Sequence, residues 1–179
     1  MSAVRLIYRS EPLDKIVKLL LDRGADPSFI FEDTAELSVI DEELFELLLD
    51  RGADPNYVSR NGSTALELVM CREIADKYGD KVTKAGIIES DPVVKLLLEK
   101  GCDPNHLFKD GRTALALAAS IGATSVVKLL LKSGADPTAK SRDKTTALSQ
   151  AILYGQESTA TILRRAMHQL ARRIDSEIL

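Results

Sequence analysis

One phrase recurs four times along this chain and constrains its fold more than any other feature. It reads LLLDRGADPS at residues 19–28, LLLDRGADPN at 47–56, LLLEKGCDPN at 96–105 and LLLKSGADPT at 129–138. A second phrase alternates with it: NGSTALELV (61–69), DGRTALALA (110–118) and KTTALSQAI (144–152). Gly101 and Gly134 lie 33 residues apart. A period of that size marks a stacked-repeat architecture, in which one unit cannot bury its apolar faces alone.

Local chemistry gives each phrase a shape. The run Val126, Val127, Leu129, Leu130 and Leu131 predicts an apolar helix face. Gly134 ends that helix, because the position after a helix favours a left-handed backbone and glycine reaches it without a Cβ clash. Asp136 and Pro137 then shape an exit turn: the carboxylate can accept from nearby N–H groups, and proline fixes φ. A two-stranded hairpin follows, with its turn at Asp110-Gly111. Thr113 is placed to cap the next helix. Ala114, Ala116, Ala118 and Ala119 leave room for that helix to approach its neighbour closely.

These phrases resemble the ankyrin repeat, and the resemblance runs along essentially the whole chain. It implies an all-α solenoid of stacked helix-turn-helix pairs linked by β-hairpin loops. Read this way, residues 1–179 form a single domain of five units, about 1–28, 29–56, 57–105, 106–138 and 139–179. The first is a cap with helices near 3–9 and 13–23. The second, with helices at 34–40 and 42–51, is short, since Gly24 and Gly52 are only 28 residues apart. The third is long: Gly52 to Gly101 is 49 residues, a surplus of 16 over one period. An extended inner helix to about Tyr78 and a loop from Gly79 to Asp91 would absorb the surplus. The last outer helix is expected over about 157–174.

Two departures from the family stand out. The usual Thr-Pro-Leu-His reads Thr-Ala-Leu-Glu, Thr-Ala-Leu-Ala and Thr-Ala-Leu-Ser here. That removes a proline suited to the first helical turn and a histidine that, in the family, ties neighbouring repeats. The hairpin of the fifth unit has Lys144 where the others have glycine, leaving its tip geometry open.

Composition narrows the function classes. The 179 residues carry a net charge of −3, are 45% hydrophobic, hold 4% aromatics and lack tryptophan. Nothing in this balance points to nucleic acid or membrane, and no stretch approaches the roughly 18 apolar residues of a span. Residues 1–15 contain no long apolar run, so no secretory leader is expected. Two cysteines, Cys71 and Cys102, are too few for a disulfide framework and suit a reducing, cytoplasmic setting, with delivery into a host cell still compatible.

No catalytic, cofactor or metal site emerges. There is no phosphate-binding glycine loop, HExxH or CxxC. Cys102 and His106 have a metal-like spacing, but Cys102 fills a slot that is alanine in other units, and further ligands are missing. Asp26, Asp54, Asp103 and Asp136 repeat in register, as turn formers do. The chain is expected not to be an enzyme and to need no cofactor.

The resemblance places binding on the concave side, where hairpin tips and inner-helix ends form a groove. Carrying the family's variable positions across gives Val58, Arg60, Asn61, Ser63 and Arg72; Leu107, Lys109, Asp110, Arg112, Ser120 and Ile121; and Lys140, Arg142, Asp143, Thr145, Leu153 and Tyr154. The expected contact residues are Arg60, Asn61, Arg72, Leu107, Lys109, Arg112, Ile121, Lys140, Arg142, Leu153 and Tyr154. This set is basic on an acidic chain, and it mixes guanidinium forks with apolar anchors. The expectation is a protein partner with an acidic surface or peptide, the chain acting as adaptor, inhibitor or effector. A binder of nucleic acid or another anionic ligand is the alternative, weakened by the lack of interleaved aromatics. The insertion at 79–91 and the Phe29-Ile30-Phe31 segment are further candidates.

Overall fold

The computed structural model describes residues 13–28, 42–60, 62–70 and 92–178. Helices α1 (Leu13–Asp22), α2 (Glu42–Asp50), α3 (Pro92–Glu99), α5 (Thr124–Lys132) and α7 (Glu157–Ile178) follow the outer-helix phrases. Helices α4 (Ala114–Ile121) and α6 (Ala147–Leu153) follow the inner ones. Residues 65–70 are also helical. The helices expected at 3–9 and 34–40, the continuation to Tyr78, the 79–91 loop and the Phe29–Phe31 segment lie outside the described residues.

The helices stack in two rows. In the outer row α2 packs on α3, α3 on α5 and α5 on α7; in the inner row α4 packs on α6. The fold is an all-α repeat solenoid. Val17, Phe45, Leu48, Leu66, Leu97, Leu115, Leu117, Leu130 and Leu163 are among the side chains fully buried in one continuous core. Each such side chain contributes about 1.5–3 kcal/mol of transfer free energy, so the array is held chiefly by burial between units. Ala114, Ala116, Ala118 and Ala119 are all buried, as close approach of the inner helices requires.

The stop signal works as its chemistry demands. Gly24, Gly52, Gly101 and Gly134 have φ of 83°, 92°, 92° and 93°. At each, the glycine N–H donates three residues back and the next N–H donates five residues back. At the fourth, Gly134 donates to Leu131 at 3.2 Å and Ala135 to Leu130 at 2.9 Å. This double bond satisfies carbonyls that the helix end would leave bare. The residue after the glycine is thereby turned inward. Ala53, Cys102 and Ala135 are each 5% exposed, so the cysteine is a core residue in an alanine slot.

The Asp-Pro turn that follows is equally regular. Asp26, Asp54, Asp103 and Asp136 accept through Oδ1 from the N–H two residues on, at 2.8–2.9 Å. Successive turns are also tied together. The Asn56 amide donates to the Gly101 carbonyl at 3.1 Å and accepts from the Asp103 N–H at 2.7 Å. Asn105 repeats this with Gly134 and Asp136, at 3.1 and 2.8 Å. Ser28 manages one such bond, accepting from the Asp54 N–H at 3.2 Å. Thr138, in the same slot, folds back onto Asp136 at 2.7 Å.

Two expectations are revised. The hairpins carry one antiparallel bridge each, Val58–Thr64, Leu107–Thr113 and Lys140–Thr146, and no extended strand occurs among the described residues. A loop of this length closes with a single pair before the inner helix begins. The last outer helix also runs to Ile178. It passes Asp175 and Ser176 without stopping, and the Ser176 hydroxyl donates to the Arg173 carbonyl at 2.8 Å.

Candidate partner-binding site

Three hairpins share one geometry. The N–H groups of Ser59, Phe108 and Ser141 donate across the loop to Ser63, Arg112 and Thr145 at 2.8–2.9 Å. Gly62, Gly111 and Lys144 donate back to Ser59, Phe108 and Ser141 at 2.7–2.8 Å. Lys144 reaches this conformation with φ 66°, so the fifth tip closes like the others despite lacking glycine. The shared geometry puts Val58, Leu107 and Lys140 in one slot and Arg60, Lys109 and Arg142 in another. All six are exposed.

Thr113 and Thr146 set where the inner helices begin. The Thr113 hydroxyl accepts from the Ala116 N–H at 3.0 Å. Thr146 and Ser149 form a reciprocal capping box, so the serine that replaces the family histidine acts at its own helix start. Glu67, the third replacement, acts between units: its carboxylate accepts from the Lys109 N–H at 3.0 Å. It is 7% exposed, and its second oxygen has no partner. In the next pair the tie is backbone alone, with the Arg142 N–H donating to the Gly111 carbonyl at 2.7 Å. Sequence reasoning read Glu67 as a lost tie; a carboxylate three residues after the capping threonine was the available signal.

The charges on the tips are partly matched. Arg112 grips Asp110 through Nε and Nη2, both at 2.6 Å. Partial burial pushes the Asp110 carboxyl up, but the bonds from Arg112 and the nearby Arg142 outweigh it and leave it below the usual range. Bonds from the Thr145 hydroxyl and N–H hold the Asp143 carboxyl low as well. The two acids therefore stay charged, while Lys109, Lys140, Arg142 and Lys144 add positive charge around them.

Of the remaining expected contacts, Leu153 is 72% and Tyr154 56% exposed at the end of α6, and Ile121 is half-buried against the core. Ser63 is buried, its N–H donating to the Ser59 hydroxyl at 3.1 Å, which takes it out of any contact surface. Asn61 and Arg72 lie outside the described residues.

Chemistry has little to work with here. Burial pushes the Cys102 thiol up to about 11, with Asp103 and Asp54 adding to the effect, so it is a poor nucleophile. Among the described residues no group of three His, Cys, Asp or Glu side chains could hold a metal ion. No helix among them is long and apolar enough to cross a membrane.

Two rows of stacked helices, with three hairpins leading into inner helices and four outer helices closed by a glycine and an Asp-Pro turn, define a helical-repeat protein. Residues 85–172 match the family model of ankyrin repeats in three copies, and over that stretch the chain belongs to the ankyrin-repeat family. No curated protein matches the chain. Ankyrin repeats are generally protein–protein interaction modules.

Proposed function

We propose that this chain is a protein-binding module, an adaptor, inhibitor or effector, that captures an acidic surface or peptide on the hairpin tips and inner-helix ends of its third to fifth units. Its five units, bounded near residues 28, 56, 105 and 138, act as one domain. The observation that carries the reading is the repeated basic slot. Arg60, Lys109 and Arg142 stand at equivalent, exposed places on successive hairpins. Exposed Val58, Leu107, Leu153 and Tyr154 supply apolar contact area beside it. Guanidinium groups next to aromatic and aliphatic anchors make the mixture that dominates protein interfaces. A cytoplasmic setting belongs to the same reading, since Cys102 is a buried free thiol in an alanine slot.

The test is affinity capture with the intact chain against an Arg112→Glu/Arg142→Glu variant at two salt concentrations. The reading requires weaker capture by the variant and a flatter salt dependence. Identical capture by both retires it. A gel shift with DNA and RNA oligonucleotides at moderate salt separates the anionic-ligand alternative.

A further inference from the structure

The hairpin tips carry a spacing as well as a charge. Arg60, Lys109 and Arg142 are 49 and 33 residues apart in sequence, yet they hold the same place on three hairpins of shared geometry. Val58, Leu107 and Lys140 form a second column two residues earlier, and the intervening Ser59, Phe108 and Ser141 are buried. The exposed columns therefore run from unit to unit, across the hairpins. Bonds between units fix their separation. The Lys109 N–H donates to the Glu67 carboxylate at 3.0 Å, and the Arg142 N–H to the Gly111 carbonyl at 2.7 Å. The Arg142 stem also lies on Gly111, where an added Cβ would fall 2.5 Å from the Arg142 Cβ.

The chain does not neutralise this basic column itself. Arg112 grips Asp110, and Asp143 accepts from the Thr145 hydroxyl and N–H, so each tip acid is held within its own hairpin. Neither Lys109 nor Arg142 enters an ion pair with a described residue. The comparable column on the outer row, Arg23, Arg51 and Lys100, differs: Arg51 pairs with Asp22 and Lys100 with Asp50.

Packed helices lie about 8–10 Å apart, which sets the interval between successive cations of the column. Three chain geometries meet that interval differently. A β-strand rises about 3.3 Å per residue, so three residues span it, but the third side chain then points to the opposite face. A polyproline II segment rises about 3.1 Å per residue and completes a turn in three, so every third side chain returns to one face after about 9 Å. An α-helix returns to one face only after about seven residues and about 10.5 Å, and it drifts further out of step at each unit.

We propose that the occupant of the hairpin surface is a segment in the polyproline II conformation with a carboxylate at every third residue, lying across the tips of the third to fifth units. Its acids at i, i+3 and i+6 meet Arg60, Lys109 and Arg142, and an apolar residue between them lies on Val58 or Leu107. This rests on the capture of an acidic partner proposed above for the same tips, and adds the partner's conformation and register. Such a segment has no internal backbone hydrogen bonds to break and is extended before it binds, which limits the ordering cost.

The experiment uses the full chain and fluorescein-labelled peptides, read by anisotropy. Three peptides share one composition of Glu, Pro, Leu and Ser and place their Glu at every second, every third or every fourth residue. A fourth places Glu at every seventh residue of an alanine-rich helix. The every-third peptide should bind at least about tenfold more tightly than each of the others. Lys109→Glu/Arg142→Glu should remove that preference, and Lys128→Glu on the outer row should leave affinity within about twofold. Circular dichroism verifies that both variants stay folded, and the ranking of peptides on the unaltered chain decides without them. Equal affinity for the peptides, or tightest binding of the helical one, overturns the polyproline II register, while weaker capture by Arg112→Glu/Arg142→Glu still upholds an acidic partner. Undiminished capture by that variant overturns both. Tighter binding of a single-stranded DNA oligonucleotide than of the every-third peptide also overturns the proposal, in favour of nucleic acid.

Discussion

The Glu67 carboxylate and the Lys109 backbone N–H, 42 positions apart in sequence, are joined by a 3.0 Å hydrogen bond that fastens the third unit to the hairpin of the fourth. Glu67→Ala leaves that N–H without its partner and empties the space that the buried carboxylate fills. A loss of about 1–3 kcal/mol is expected by urea denaturation. Glu67→Gln keeps an acceptor while removing a buried charge, and should cost less than about 1 kcal/mol. Equal losses in the two variants would mean that packing, not the hydrogen bond, is what Glu67 supplies.

Asn105 offers a cleaner test of the turn-to-turn ties, because it makes two bonds and is itself exposed. Asn105→Ala should destabilise the array by about 1–2 kcal/mol. Amide exchange should quicken at Asp136. Unchanged exchange there would show that the turns hold without the asparagine.

Lys144 sits at a left-handed φ of 66° in a place where Gly111 has 85°. Lys144→Gly should therefore stabilise the chain, by about 0.5–1 kcal/mol. The reciprocal change, Gly111→Ala, is expected to be harmful, since the added Cβ would lie 2.5 Å from the Arg142 Cβ. Thermal unfolding of the two variants should move in opposite directions.

The low Asp110 carboxyl links stability to acid. A group whose folded value lies below its unfolded one stabilises the fold above the unfolded value and loses that contribution as pH falls through the folded value. The window thus opens below about pH 4. Because Arg112 and Asp110 are both substantially exposed, the contribution stays under about 1 kcal/mol. Asp110→Asn should flatten the acid limb of a stability–pH curve by removing that contribution near neutrality, while leaving stability below the window almost unchanged. A steeper acid limb in the variant would contradict the assignment.

What could be read from the sequence was what local chemistry determines. The stop glycines, the Asp-Pro turns and the Thr113 cap each depend on residues within five positions of one another, so their geometry follows from residue type. Helices over 13–23 and 42–51 were anticipated to within a residue for the same reason. Features built across units were not legible. The reach of Glu67 to Lys109 depends on stacking, which no single unit determines. Lys144 shows the opposite balance: a residue ill-suited to a left-handed backbone is held there by the closure common to all three hairpins. For the contact surface, the exposed places of Leu107, Lys140, Arg142 and Leu153 follow from the repeat register, whereas the mutual grip of Arg112 and Asp110 needed coordinates to be seen.

Thr138 turns back on Asp136 where Asn56 and Asn105 reach forward, and Ser28 reaches with one bond where they use two. Under mechanical load these differences translate into unequal seams. A chain pulled from both ends should part first at the Ser28 seam, while the two seams stitched by asparagine yield last. Optical-tweezer traces would record a stepwise rip of the early units before the block containing α4 to α7 gives way; a single all-at-once rupture would deny that ranking.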